Sequence, residues 1–148
     1  MGILSDFVVA SDDDGPTIGE SIRPAEQWPC LKGWKGVETI KLSTLYFCIS
    51  GQSNSVEEAV ALSSEFMLAG GNQEEGPWVF KFPARVLSAF ASLSPESFKS
   101  VAKKWCATEE LEMDGWGQGE AQSFISQLQP LANSAVASNK AMYLWLSL

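Results

Sequence analysis

The 148-residue chain contains no histidine. Histidine is the usual proton carrier near neutral pH and the commonest metal ligand in proteins. Its absence excludes a Ser-His-Asp triad, a Cys-His nucleophile pair and the usual zinc sites. Catalysis by paired carboxylates or by a lysine Schiff base is still possible. Neither is indicated by a specific motif, and with thirteen glutamates in the chain a pair of carboxylates is not informative. No catalytic residue is therefore assigned.

Cysteine is scarce, and its three positions show no Cys-x-x-Cys spacing. This excludes a disulfide framework and a four-thiolate metal site. Cys48 and Cys106 lie in apolar runs and are predicted to be buried. Cys30 follows Trp28 and Pro29 in a predicted loop and is expected to be the exposed thiol. Such sparse cysteine usage indicates a reducing cytoplasm.

Long apolar runs are also missing, since none approaches the roughly 18 residues needed to cross a bilayer. The segment from Met1 to Asp6 lacks the basic residues and apolar core of a signal peptide. Asp6 stands where a myristoylation signal needs serine or threonine. The expected location is the cytoplasm, without membrane association.

Phosphate-loop and dinucleotide-binding glycine motifs are absent. The glycine-rich segment 115–119 precedes a predicted helix, where an anion could bind, but it has no lysine or arginine and has many acids around it. An EF-hand count from Glu109 fails, because Leu111 and Met113 occupy ligand positions. Adjacent aspartates at 12–14 have diverging side chains and indicate a turn. Neither a metal nor a cofactor is predicted.

The net charge is −8, and most of it lies in the first half of the chain. Residues 1–74 carry eleven acidic and four basic side chains, and residues 75–148 carry seven and six. An acidic surface repels nucleic acid and anionic lipid, so neither is a predicted partner. The surplus either keeps the protein soluble or forms a docking face for a basic partner protein.

Length and composition predict one α+β domain over residues 1–148, with a small mixed sheet of three to five strands covered by four or five helices. Strands are predicted at 7–10, 37–42, 66–68, 78–82 and 142–146. The glycines at 70 and 71 between the segments 66–68 and 78–82 are compatible with a hairpin. The last strand is apolar on both faces, so it is expected to be central.

Capping patterns predict most of the helices. Pro16 begins a short helix, and Ser43 and Gly51 bound an apolar helix at 44–50, for which a continuous strand is the alternative. Ser55 and Glu58 form a capping box that opens a helix to about 64. Further helices begin at Pro83, at Pro95 and after 120, and the last is expected to kink or divide at Pro130 and to end at Asn139. Residues 23–36 and 108–120 are predicted to be irregular.

Six tryptophans are the remaining distinctive feature. Trp78, Trp105 and Trp145 fall on predicted core faces. Trp28, Trp34 and Trp116 fall in predicted loops, where they either cover the edges of the core or form a shared recognition surface. Tryptophan is favoured at binding hot spots.

Several segments together resemble the YfbM-like family of small bacterial proteins of uncharacterised function. They are the opening Met1-Gly2-Ile3, Trp34 followed by the run 45–51, Gly76-Pro77, and the closing run 140–147. The resemblance covers most of the chain and implies an α+β domain without an assigned activity. It departs where the family commonly has a histidine in the central helix, because this chain has Tyr46 or Phe47 there.

The leading functional hypothesis is a non-catalytic module in which Trp28, Trp34, Asp114 and Trp116 contact a partner protein. One concrete version is an acidic inhibitor of a basic bacterial toxin. The alternative is a small-molecule binder or a carboxylate-dependent enzyme.

Overall fold

In the computed structural model, which describes residues 3–51, 55–72 and 74–148, five strands form one antiparallel sheet. In chain order they are β1 Leu4–Ala10, β2 Cys30–Lys35, β3 Met67–Gly71, β4 Trp78–Lys81 and β5 Ala141–Ser147. Their spatial order is β2-β1-β5-β4-β3. The α+β class and the central position of the last strand are confirmed. The predicted mixed sheet is wrong, because every neighbouring pair of strands runs antiparallel.

The central strand β5 is buried from Ala141 to Leu146. Met142, Leu144 and Leu146 belong to the larger core cluster. The alternating residues, including Tyr143 and Trp145, belong to a smaller cluster on the opposite face. A strand that is covered on both faces has no exposed polar side, which explains the continuous apolar run.

Seven α-helices lie in the described part of the chain, more than the four or five predicted. They are α1 Gly15–Gly19, α2 Thr39–Ser50, α3 Val56–Ser63, α4 Ala84–Ser92, α5 Phe98–Cys106, α6 Glu109–Met113 and α7 Gln118–Ala137. Two 3-10 helices, at Pro24–Glu26 and Pro95–Ser97, accompany them. The number is larger partly because α6, a five-residue helix, lies inside the segment predicted to be irregular.

Two predicted helix ends are confirmed in detail. The Ser55 hydroxyl accepts the backbone N–H of Glu58 at 3.2 Å, which is the N-cap half of the predicted capping box. At the end of α7, Asn139 has a φ of 56°, and the N–H of Lys140 donates to the Ala135 carbonyl at 2.8 Å. This hydrogen bond, from an N–H to the carbonyl five residues earlier, together with the left-handed backbone of Asn139, forms a Schellman motif. Asparagine can replace the usual glycine in this motif.

The helix α7 is not divided at Pro130. Proline removes one helical hydrogen bond, and here it lies on the exposed side of the helix. The freed carbonyl of Ser126 is on the same exposed side, where water can satisfy it. Of the two outcomes predicted for Pro130, division into two helices is therefore wrong, and the kink stays a prediction.

The start of α2 corrects three predictions. The Glu38 carboxylate accepts the N–H groups of Ile40 and Lys41 at 2.9 and 3.2 Å, so the helix begins at Thr39. Ser43 lies inside the helix, and its hydroxyl donates to the Thr39 carbonyl. The predicted strand at 37–42, the Ser43 cap and the alternative of a continuous strand are all wrong.

Strand β2 lies in the segment 23–36 that was predicted to be irregular. The register between β1 and β2 shifts between Ser5 and Phe7, and Gly33 in the opposing strand has a φ of 90°. This irregularity breaks the alternation of side chains that identifies a strand in a sequence. The prediction of an irregular segment is therefore wrong for Cys30–Lys35.

The two faces of the sheet are covered unequally. The larger core lies between one face and a helical layer of α2, α4, α5 and α7. The opposite face is covered mainly by the short helix α1 and the 3-10 helix Pro24–Glu26. The second face therefore leaves part of the sheet accessible.

Helix α1 approaches the edge strand β3 through glycines. A Cβ atom at Gly70 would overlap the carbonyl oxygen of Gly15, and one at Gly19 would overlap the backbone nitrogen of Gly71. Only glycine allows two backbones to lie this close. The pairing of Gly15 and Gly19 with the glycines of β3 therefore fixes α1 against the sheet.

We expect Gly70→Ala to lower the free energy of unfolding by roughly 2–3 kcal/mol, because the added methyl group forces α1 away from β3. Gly119→Ala is the matched control, since a Cβ atom there meets nothing within 4 Å and the residue lies in α7. That variant should be stabilised by up to about 1 kcal/mol. Urea unfolding followed by tryptophan fluorescence measures both, and equal stability of the two variants would contradict the close approach.

Candidate functional site

Two of the predicted contact residues, Trp34 and Trp116, lie together. Their rings are stacked with centroids 5.5 Å apart and an interplanar angle of 27°. Phe124 packs edge-on against Trp34 at 5.0 Å, and Trp105 lies 5.6 Å from Trp116. The rings of Trp34 and Trp116 are half-buried at the edge of the larger core. They brace the loop after α6 against β2 and α7.

Trp28 lies elsewhere, on the opposite face of the sheet. It packs against the smaller cluster that contains Val8, Tyr143 and Trp145. Trp34 instead packs against the larger core cluster. The prediction that all three tryptophans form a single recognition surface is therefore wrong, since the sheet separates Trp28 from the other two.

Asp114, the fourth predicted contact residue, forms an ion pair with Lys41. The Lys41 side chain is only 4% exposed, whereas that of Asp114 is 52% exposed. The Lys41 ammonium group also donates to the Gly36 carbonyl. The sequence analysis did not assign a role to Lys41, although a lone lysine within the apolar run 37–49 was a signal for it.

The backbone of Lys41 makes further contacts with α5. Its carbonyl accepts the indole N–H of Trp105 at 3.1 Å and the Thr44 hydroxyl at 2.8 Å. The Trp105 N–H also reaches the Thr44 oxygen at 3.1 Å. These buried bonds fix the first turn of α2 against α5, and so fix the position of the Lys41 side chain.

An open groove of about 420 Å³ surrounds this ion pair, and we call it the Asp114 groove. It is lined by Ile3, Gly36, Glu38, Lys41, Glu110, Met113 and Asp114. Three carboxylates face one ammonium group, so the groove has an excess of negative charge. Glu38 is occupied by the N-terminus of α2, and Asp114 by Lys41. Half-buried Glu110 makes no ion pair within the described residues, and Met113 is 78% exposed.

No family model, curated protein or solved structure matches the chain. The resemblance to the YfbM-like family stays a prediction. Across residues 3–51, 55–72 and 74–148, no cluster of acidic and cysteine side chains is arranged to hold a metal ion. Within the same ranges, no helix combines the length and apolar character needed to cross a membrane.

All three cysteines are half-buried. Burial raises the pKa of the Cys30 thiol to about 12, and the nearby Asp6 carboxylate adds to the shift. Burial likewise raises the pKa of Cys48 to about 11. The prediction that Cys30 is the exposed thiol is wrong, because it lies in β2 opposite Val8 and packs against the smaller core cluster.

We expect Cys30 to react slowly with iodoacetamide, because only the thiolate is nucleophilic. At pH 8 a thiol of raised pKa should react on the order of 10³ times more slowly than an ordinary thiol. A Cys48→Ser/Cys106→Ser variant isolates Cys30, and the same variant in urea gives the unhindered rate. Equal rates in the folded and unfolded chains would contradict the burial of this thiol.

We expect Asp114→Ala to lower the free energy of unfolding by roughly 1–3 kcal/mol, because it leaves a buried ammonium group with one acceptor fewer. Because the Asp114 carboxylate is half-exposed, the loss of stability should be smaller than for a fully buried ion pair. In a Lys41→Met background the same change should cost about 1 kcal/mol less. Glu112→Ala, a nearby exposed acid, is the control. Equal costs of Asp114→Ala in both backgrounds, measured by urea unfolding, would show that the pair is not coupled.

Proposed function

We propose that this protein is a non-catalytic interaction module that binds a basic segment of a partner protein in the Asp114 groove. The observation that carries the proposal is the combination of an unpaired carboxylate, Glu110, with an exposed apolar side chain, Met113, in one groove. An inhibitor that covers the basic active surface of a toxin is one form of such a module. The sparse, unpaired cysteines support action in the cytoplasm.

The charge of the groove supports a basic partner. Glu109 and Glu112 of α6 extend the acidic surface beyond the lining residues. A lysine or arginine of the partner would pair with Glu110, which no described residue neutralises. Such complementarity speeds association and excludes acidic partners.

Met113 supplies apolar contact area next to these charges. Its side chain is 78% exposed at the end of α6. Methionine is flexible and polarisable, so it adapts to apolar surfaces of different shapes. A partner segment that combines basic and apolar side chains therefore fits the groove.

The groove is held in shape before any partner arrives. The Lys41–Asp114 pair fixes one wall, and the stacked Trp34 and Trp116 rings brace the loop that follows Asp114. A preorganised surface loses less conformational entropy on binding. In this proposal the two tryptophans support the binding surface, and Glu110 and Met113 make the contacts.

The carboxylate-enzyme alternative has less support from the same groove. Glu38 accepts backbone N–H groups of α2, and Asp114 accepts from Lys41. Glu110 is left as the one uncommitted carboxylate among the lining residues. Glycoside hydrolysis needs two carboxyl groups, one as acid and one as base or nucleophile.

The test compares a groove variant with a matched surface variant. The groove variant is Glu110→Lys/Met113→Ala. The control is Glu96→Lys/Val136→Ala, which changes an exposed acid and an exposed apolar residue elsewhere. Each protein is immobilised on a resin and incubated at low salt with a lysate of the native host. Proteins that are captured are identified, and the partner is then purified so that its binding can be measured by calorimetry.

We expect a basic partner that binds the wild type and the control alike and the groove variant at least tenfold more weakly, a loss of about 1.4 kcal/mol. Binding should weaken as salt is raised, because exposed charges are screened. Capture of no partner at low salt, or equal binding by the two variants, would refute the proposal.

A further inference from the structure

The Asp114 groove is bordered at Glu110 by a second concavity, because Glu110 lines both. This concavity, of about 200 Å³, lies where α2, α3 and α6 meet, and we call it the Val56 pocket. It is lined by Thr44, by Ser55, Val56 and Ala59, and by residues 108–110. Its volume is below the roughly 300–1,000 Å³ of small-molecule sites. The Val56 pocket therefore suits side chains of a partner that also occupies the Asp114 groove, and it does not suit a separate ligand.

The free polar groups of the Val56 pocket are carboxylates. Each of its three hydroxyl groups already bonds to a backbone group three residues away in the chain. Glu109 and Glu110, in contrast, form no ion pair with any residue of the described ranges. No lysine or arginine is among the described residues that line the pocket. A basic side chain of a partner would therefore meet two uncommitted carboxylates, and the charges of the two surfaces would be complementary.

Exposed apolar side chains lie on both sides of these carboxylates. Val56 is 64% exposed in the Val56 pocket, and Met113 is 78% exposed in the Asp114 groove. Val60 lies one turn after Val56 on α3 and is 51% exposed. The surface thus presents an apolar, an acidic and an apolar part in that order. A matching partner presents apolar, basic and apolar side chains along one line.

The walls of the two concavities favour a helical partner over an extended one. The residues that line them, all within the described ranges, belong to helices, to helix caps or to irregular segments, and none lies in a strand. An extended segment would find no strand edge with which to form backbone hydrogen bonds. A helix brings its backbone hydrogen bonds with it, and its side chains at positions i, i+3, i+4 and i+7 lie on one face.

We propose that the Asp114 groove and the Val56 pocket together bind a basic amphipathic helix of the partner protein. Its lysine or arginine side chains pair with Glu109 and Glu110, and its apolar side chains contact Met113 and Val56. This inference rests on the proposed function, because it names the kind of segment that the groove binds. It goes further in requiring that both concavities are occupied at once.

The test uses synthetic peptides of about 18 residues, long enough to form a helix, and the full chain, with binding measured by calorimetry at low salt. The helical peptide has leucine at i and i+7 and arginine at i+3 and i+4, in a background of alanine and glutamine. A second peptide has the same composition with the arginines moved to the opposite face. In a third, one central alanine is replaced by proline, which breaks the helix. We expect the helical peptide to bind at least about tenfold more tightly than the other two.

Valine variants of the protein test the Val56 pocket itself. Val56→Ala should weaken binding of the helical peptide about fivefold, because apolar contact area is lost. The change should leave α3 folded, because alanine is a good helix former. Val136→Ala, which changes an exposed valine of α7, is the matched control and should bind as the wild type does.

The outcomes separate this inference from the proposed function. If the proline peptide binds as tightly as the helical one, or if Val56→Ala binds as the wild type does, the helical inference is overturned. The proposed function still stands in that case if Glu110→Lys/Met113→Ala weakens binding. If the helical peptide binds neither protein, or binds Glu110→Lys/Met113→Ala as tightly as the wild type, the inference is overturned as well, and the comparison in the lysate decides the proposed function.

Discussion

The ammonium group of Lys41 must find acceptors inside the protein, because its side chain is almost completely removed from water. Gly36 and Asp114 provide them, while the Lys41 carbonyl accepts from Trp105. The turn after β2, the first turn of α2, the end of α5 and the end of α6 are thus held at one point. This buried charge acts together with the packing of Leu111 and Trp116 on the larger core to determine where the acidic loop lies and which side chains line the groove beside it.

The unequal cover of the sheet gives the molecule two surfaces of different character. On the helical side, aromatic packing around Phe124 is dense, and what remains accessible is an acidic groove at its edge. On the other side, a short helix and a 3-10 helix leave a cleft with balanced charge. The proposed partner binding rests on the first of these surfaces.

Sequence patterns were informative where one local signal decided the structure. The Ser55 capping box, the apolar strand 142–146 and the asparagine after α7 each rest on residues close together in the chain. Sequence patterns gave wrong predictions where contacts between residues far apart in the chain determine the structure. The run that became α2 is apolar nearly all round, so its periodicity could not place the start that Glu38 provides. The Lys41–Asp114 pair joins residues 73 positions apart, and the separation of Trp28 from Trp34 follows from the sheet faces on which they lie. Neither is visible from spacing alone.

The pairing of β1 with β5 has a kinetic consequence. It brings together segments so far apart that the Tyr143 hydroxyl donates to the Ser11 carbonyl across 132 positions. The entropy of closing so long a loop must be overcome before the central pairing is formed, which places such a chain among the slower folders. The β3–β4 hairpin is local and can form first. Until β5 arrives, β1 and β4 present open edges, and unpaired edges of this kind are where newly made chains associate with one another.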